Sequence, residues 1–214
     1  MVNPRIRLYH EGELVAENDD WARNDSSDAV AAASARVGAF SLPATSADSA
    51  LLATLPAGAY TLHVEGGAGT ALAEVYDASG VVESSLSNLS IRARVSSSGD
   101  LLIGGFVIDG TGAQRVLVRA VGPGLIPFGL TGTLSDPKVV IRQGSALVAE
   151  NDDWGASNAA AIETARQSVG AFSLPAGSKD AALILNLAPG AYTAQVTGTA
   201  TEAGVVLLEI YRLP

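Results

Sequence analysis

One block of sequence occurs twice in this chain, and no fold that leaves the duplication out can be right. Residues 14–21 read LVAENDDW and residues 147–154 read the same eight letters. Residues 37–44 (VGAFSLPA) recur at 169–176, GAYT at 58–61 recurs at 190–193, and Glu74-Val75-Tyr76 answers to Glu209-Ile210-Tyr211. The four matches are separated by 133, 132, 132 and 135 positions. The small length changes fall in stretches rich in Gly, Ala, Ser and Thr, where loops tolerate them. Two copies of one module are therefore joined by a stretch, residues 86–134, that occurs once. The domains expected are residues 1–85 for the first copy and residues 86–214 for the bridge with the second copy.

Each copy reads as short strands. Ile6 and Leu8 alternate with Arg5, Arg7 and Tyr9, the period of two that marks a half-buried strand. Tyr60, Leu62 and Val64 alternate in the same way, as do Tyr192, Ala194 and Val196. Tyr60, Leu62, Val64, Tyr192, Val196, Val116 and Val118, with Phe40 and Phe172, are the expected core. Between the repeated blocks lie the Ala-rich residues 27–36 and 158–167, which follow Ser, Asp or Asn and predict one short helix per copy. The bridge holds three strand patterns, at residues 91–95, 101–108 and 115–121. Turn signals at Ser98-Gly99-Asp100 and Asp109-Gly110-Thr111-Gly112 separate them, predicting a three-stranded antiparallel meander. The fold class expected is all-β: two homologous, jelly-roll-like β-sandwich modules joined by a three-stranded bridge. Connection length favours pairing the bridge with the copy that follows it. The first copy then has no bridge ahead of it, and its strand at residues 5–9 is the expected open edge.

Composition narrows the function classes. The chain has no cysteine, which removes disulfides, thiolate catalysis and cysteine-based zinc sites. His10 and His63 are its two histidines, and neither recurs in the second copy. A net charge of −9, with 13 scattered basic residues, disfavours nucleic acid as a partner. No apolar run approaches the roughly 18 residues of a membrane helix, so membrane insertion is not expected. Met1-Val2-Asn3-Pro4 runs straight into a strand pattern without a leader, so export implies one removed ahead of this numbering, or a segment cut from a longer chain.

The stretch NLSIRARV…LLIGGFVIDGTGAQRVLVRAVGPGL, followed by DPKVVI…NDDW…PGAYTAQVTG…LEIY, resembles a repeat of large secreted and surface proteins of environmental bacteria. The resemblance covers residues 86–214, and residues 3–76 for the NDDW half alone. In that family the bridge-like part precedes each NDDW half. The NDDW half is also distantly similar to the bacterial pre-peptidase C-terminal domain, a small jelly-roll appended to secreted enzymes. The resemblance implies an extracellular or cell-surface protein in an accessory or architectural role, and it carries over no catalytic residues.

The repeated acidic loop is the one cluster with chemical potential. Glu17, Asn18, Asp19 and Asp20, with Glu150, Asn151, Asp152 and Asp153, offer the hard oxygen ligands that calcium takes. They lack the spacing of a complete calcium-binding loop, and Asx side chains after a strand also close turns and cap helices. Trp21 and Trp154 allow a glycan-stacking reading beside the plainer one, a ring packed on its own module. Gly122-Pro123-Gly124 lacks the Lys and the helix of a phosphate loop and reads as a turn. No nucleophile stands with a base, so an enzyme is not expected. The expected function is a structural protein acting by protein–protein contact, with itself into filaments or arrays by strand complementation, or with other surface proteins. The alternative is a carbohydrate-binding or calcium-dependent adhesion module.

Overall fold

A computed structural model describes residues 1–23, 25–80, 86–96, 100–156, 158–198 and 202–214. Among the described residues the chain is all-β with two short α-helices. It divides into two compact units, Met1–Leu86 and Ser87–Pro214. The predicted turn at Ser98-Gly99 lies outside the described residues.

Unit 1 contains strands β1 (Arg5–His10), β2 (Glu13–Asn18) and β3 (Tyr60–Glu65), with helix α1 (Ser27–Val37) between the last two. The β1–β2 hairpin turns on Glu11 and Gly12, at φ 50° and 87°; a two-residue turn matching strand twist needs positive φ at both positions. Helix α1 stops at Gly38, whose φ of 75° lets its N–H return to the Ser34 carbonyl. Sheet order is β2-β1-β3. This corrects the expected edge: β1 is the central strand, paired antiparallel on both sides, and the open edges belong to β2 and β3. The three strands form the one sheet of unit 1 among its described residues.

Unit 2 contains β4 (Asn88–Val95), β5 (Leu102–Ile108), β6 (Gln114–Val121), β7 (Lys138–Gln143), β8 (Ala146–Asn151), α2 (Ala159–Ser168), β9 (Ala181–Leu187), β10 (Gly190–Thr197) and β11 (Gly204–Arg212). They build two four-stranded sheets, ordered β5-β10-β7-β8 and β4-β11-β6-β9. Val139, Ile141, Tyr192, Ala194 and Val196 of the first sheet share one buried cluster with Val116, Val118, Ala120, Val206 and Leu208 of the second. The outer face of the second sheet packs Leu117, Val121, Ala182 and Tyr211 against Ile162 and Ala165 of α2. Strand β6 is thus covered on both faces, which is why RVLVRAV is nearly continuous in apolar residues rather than alternating.

The expected meander does not form. No two of β4, β5 and β6 are neighbours in a sheet. Instead β5 pairs with β10, β4 with β11, and β6 with both β11 and β9. The once-occurring stretch is not a linker; it supplies three of the eight strands that the described residues of unit 2 form. A chain reversal, such as the one at Asp109-Gly110-Thr111-Gly112, can cross to the other sheet of a sandwich as readily as it can return beside its predecessor.

Candidate functional site

The two acidic loops have the same construction. Asn18 donates from Nδ2 to the Asp20 carbonyl at 3.3 Å and accepts the Ala50 N–H on Oδ1 at 3.0 Å. Asn151 does the same with Asp153 and Ala182, at 3.2 and 2.9 Å. These side chains close the turn and tie it to the next segment, so the amides are already committed. The carboxylates face cations of the protein: Asp19 pairs with Arg5, Glu17 with Arg7 and Asp20 with Arg23, at 3.1, 3.1 and 3.2 Å. In the second copy Glu150 pairs with Lys138 and Asp153 with Lys179, at 3.0 and 2.9 Å. The hydrogen bond to Asp153 holds the Lys179 ammonium above its ordinary range. Asp152 stays exposed. Among the described residues no three acidic or His side chains converge as a metal site would need.

Both tryptophans are half-buried at the loop end. The backbone N–H of Trp21 bonds to the Asp48 carbonyl at 2.9 Å, and that of Trp154 to the Asp180 carbonyl at 2.8 Å. Their indole N–H groups differ: Trp21 Nε1 donates to the Pro43 carbonyl, Trp154 Nε1 to Ser178 Oγ.

The larger difference between the copies lies where the once-occurring strands are present or missing. Residues 49–55 are the counterparts of β9, and residues 69–77 those of β11; neither stretch is a strand in unit 1. The topology gives the reason. Strand β9 has β6 as its sheet neighbour, and β11 sits between β4 and β6. Among the described residues of unit 1 neither segment has a ladder partner, and no second sheet forms. What remains of unit 2 when β4, β5 and β6 are set aside is the three-stranded β10-β7-β8 sheet, and β3-β1-β2 is its match.

The apolar side chains follow. Leu72 is 72 % exposed, Val75 52 % and Tyr76 43 %, whereas their counterparts Leu207, Ile210 and Tyr211 pack in the cores of unit 2. Leu52 and Leu55 are exposed where Ile184 and Leu187 pack inward. Phe40, expected in the core, is 58 % exposed. Its counterpart Phe172 meets Phe128 edge-on and lies under Arg119, 4.4 Å from the ring centroid. Tyr60, Leu62 and Val64 are half-buried rather than buried, while Tyr192, Val196, Val116 and Val118 are buried as expected.

Sequence reasoning missed one buried polar cluster. Arg119 Nε donates to Glu209 Oε2 at 2.8 Å, and Nη2 lies 2.6 Å from the same oxygen, an ion-pair contact off-line for a hydrogen bond. Nη1 donates to the Phe172 carbonyl at 2.6 Å, and Tyr211 donates to Glu209 Oε1 at 2.7 Å. Burial, with that bond to Glu209, pushes the Tyr211 phenol well above its ordinary range. Asp180, fully buried, accepts the N–H groups of Gly122 and Gly124 on Oδ1, at 2.8 and 3.1 Å. A lone Arg inside VLVRAV was the available signal, since a charge in a buried strand needs a partner.

No family model matches the chain, and no curated protein matches it. Among solved structures it is distantly similar to the pre-peptidase C-terminal domain of a collagenase from Bacillus anthracis. The identity is 12 % over 57 % of this chain and 88 % of that domain, with a TM-score of 0.36.

Proposed function

We propose that this chain is a non-catalytic structural protein of the cell exterior, acting by protein–protein contact, with unit 1 as the acceptor of strands from another polypeptide. One observation carries the reading: apolar positions that are buried in unit 2 stand exposed at their counterparts in unit 1. Exposed apolar groups clustered on two backbone segments without ladder partners are what strand addition satisfies. The acidic loops are engaged in ion pairs and turn closure, which supports scaffolding rather than chemistry. In the homotypic form, an edge strand of a second copy lies along the free edge of β3, where β10 carries β5 in unit 2. That contact joins two different surfaces and grows into a filament or array unless its rotation closes a ring.

Light scattering over rising protein concentration, followed by electron microscopy, tests it. The chain is expected to assemble, and a Leu72→Asp/Val75→Asp/Tyr76→Asp variant to stay monomeric. A wild-type chain that remains strictly monomeric at high concentration overturns the self-assembly reading.

A further inference from the structure

We infer that unit 1 carries an unfilled seat for one particular kind of strand: an arginine-bearing β-strand that runs into a Gly-Pro-Gly turn. The inference rests on unit 1 being a strand acceptor, and it names the feature by which the donor is recognised.

Unit 2 shows the seat filled. Strand β6 brings Arg119 onto the Glu209 carboxylate and over the Phe172 ring, with the Arg side chain fully buried. Three residues on, the turn Gly122-Pro123-Gly124 docks its N–H groups on Asp180. Both glycines are required by space. A Cβ on Gly122 would fall 2.0 Å from the Leu134 carbonyl oxygen, and one on Gly124 would fall 2.7 Å from Val121 Cγ1 and 3.0 Å from Asp180 Oδ2. Asp180 is held in turn by Ser178 Oγ at 2.6 Å, which accepts from Trp154 Nε1 at 3.1 Å. The repeated tryptophan thus braces the carboxylate that receives the turn.

Every receiving residue recurs in unit 1, and among the described residues none of them meets an arginine or a Gly-Pro-Gly turn. Glu74, Phe40, Asp48 and Ser46 are the counterparts of Glu209, Phe172, Asp180 and Ser178. Glu74 still accepts a hydrogen bond from Tyr76, at 3.1 Å, as Glu209 does from Tyr211. No arginine reaches it among the described residues, and Phe40 is exposed. Nothing among the described residues bonds to the Asp48 carboxylate, and Ser46 Oγ is buried without a partner. The Trp21 indole N–H turns to the Pro43 carbonyl instead. A buried hydroxyl left unpaired costs stability, and a donor that bonds to Asp48 would draw the Ser46–Asp48 contact together as in unit 2.

The donor is a strand of this kind from outside residues 1–214, not yet seated in a sheet of its own. Residues 1–214 hold one β4–β6 segment for two seats, and that segment already fills unit 2. Moving it to a neighbour's unit 1 would empty one seat to fill another, with no net gain in ladder bonds.

The test uses the full chain and a synthetic peptide with the sequence of residues 114–125, QRVLVRAVGPGL. Fluorescence anisotropy reads affinity, and hydrogen exchange reads protection at residues 49–55 and 69–77. The peptide is expected to bind and protect both segments. Peptides carrying R119Q or G122A, and a chain carrying Glu74→Gln, are expected to bind at least about tenfold more weakly, the loss of a charge-assisted buried bond. An R119E peptide offered to a Glu74→Arg chain is expected to regain binding. Equal binding by the wild-type and R119Q peptides, with both segments protected, overturns the seat while leaving the acceptor reading in place. No protection by this peptide or by one spanning residues 88–125 overturns both.

Discussion

Phe40 and Phe172 show what a residue alone can and cannot disclose. They occupy the same letter of an identical octet, so nothing local distinguishes them. What separates them is Arg119 above one ring and its absence above the other, a contact between residues 53 positions apart. Truncation should therefore act unequally. Phe172→Ala loses the cation–π contact, the edge-on Phe128 pair and half-buried area, a cost of about 3 kcal/mol at the low end for such a change. Phe40→Ala removes a ring already largely in water and should stay within about 0.5 kcal/mol of wild type. Urea unfolding of the two variants checks this, and a comparable cost for both would show that Phe40 is packed after all. The alternation Tyr60-Leu62-Val64 was legible as one face of a strand. Its half-burial was not, because burial depends on whether a second sheet arrives.

At the scale of elements, the sequence disclosed what each segment forms better than what it pairs with. The Ala-rich stretches became α1 and α2 within a residue or two of their expected ends, because their propensity and stop signals are local. Strands β4 to β6 were visible as strands, while their partners β9, β10 and β11 lie far along the chain. The segments at 49–55 and 69–77 show the limit most plainly, since they share pattern with β9 and β11 yet lack partners for a ladder. The acidic loops are elements too, and their predicted behaviour follows from their bonding. Asn18 and Asn151 are each committed to two backbone groups, and the aspartates at the turn face Arg5, Arg23 and Lys179. A calcium ion would have to displace these cations before gaining its ligands. Thermal unfolding with calcium or with a chelator should give the same midpoint for both units. A bound ion would instead raise stability, by about 2.7 kcal/mol at a concentration near 100 times its dissociation constant, and a rise of that order would establish a cation site.

For the whole molecule, the duplication sets up an inequality of stability that should be directly measurable. Unit 2 closes a sandwich over two apolar clusters, one between its sheets and one beneath α2. Unit 1, among its described residues, buries Leu8, Val30 and Ala33. A three-stranded sheet with one packed helix is near the lower bound of what stands alone, and stability scales with the apolar area removed from water. The prediction is two calorimetric transitions, the lower from unit 1 and the upper from unit 2. Leu8→Ala should lower only the first and Ile141→Ala, its counterpart, only the second, each through the lost methylenes and the cavity left behind. Ile141 is fully buried between two sheets, so its truncation belongs in the range of about 2–5 kcal/mol. Leu8 faces no second sheet among the described residues, so its site can relax more and its cost should be smaller. A peptide that fills unit 1 should raise the lower transition toward the upper and leave the upper where it was, since binding to the folded state stabilises that state alone. A single cooperative transition, lowered equally by either substitution, would mean that the two copies share one core.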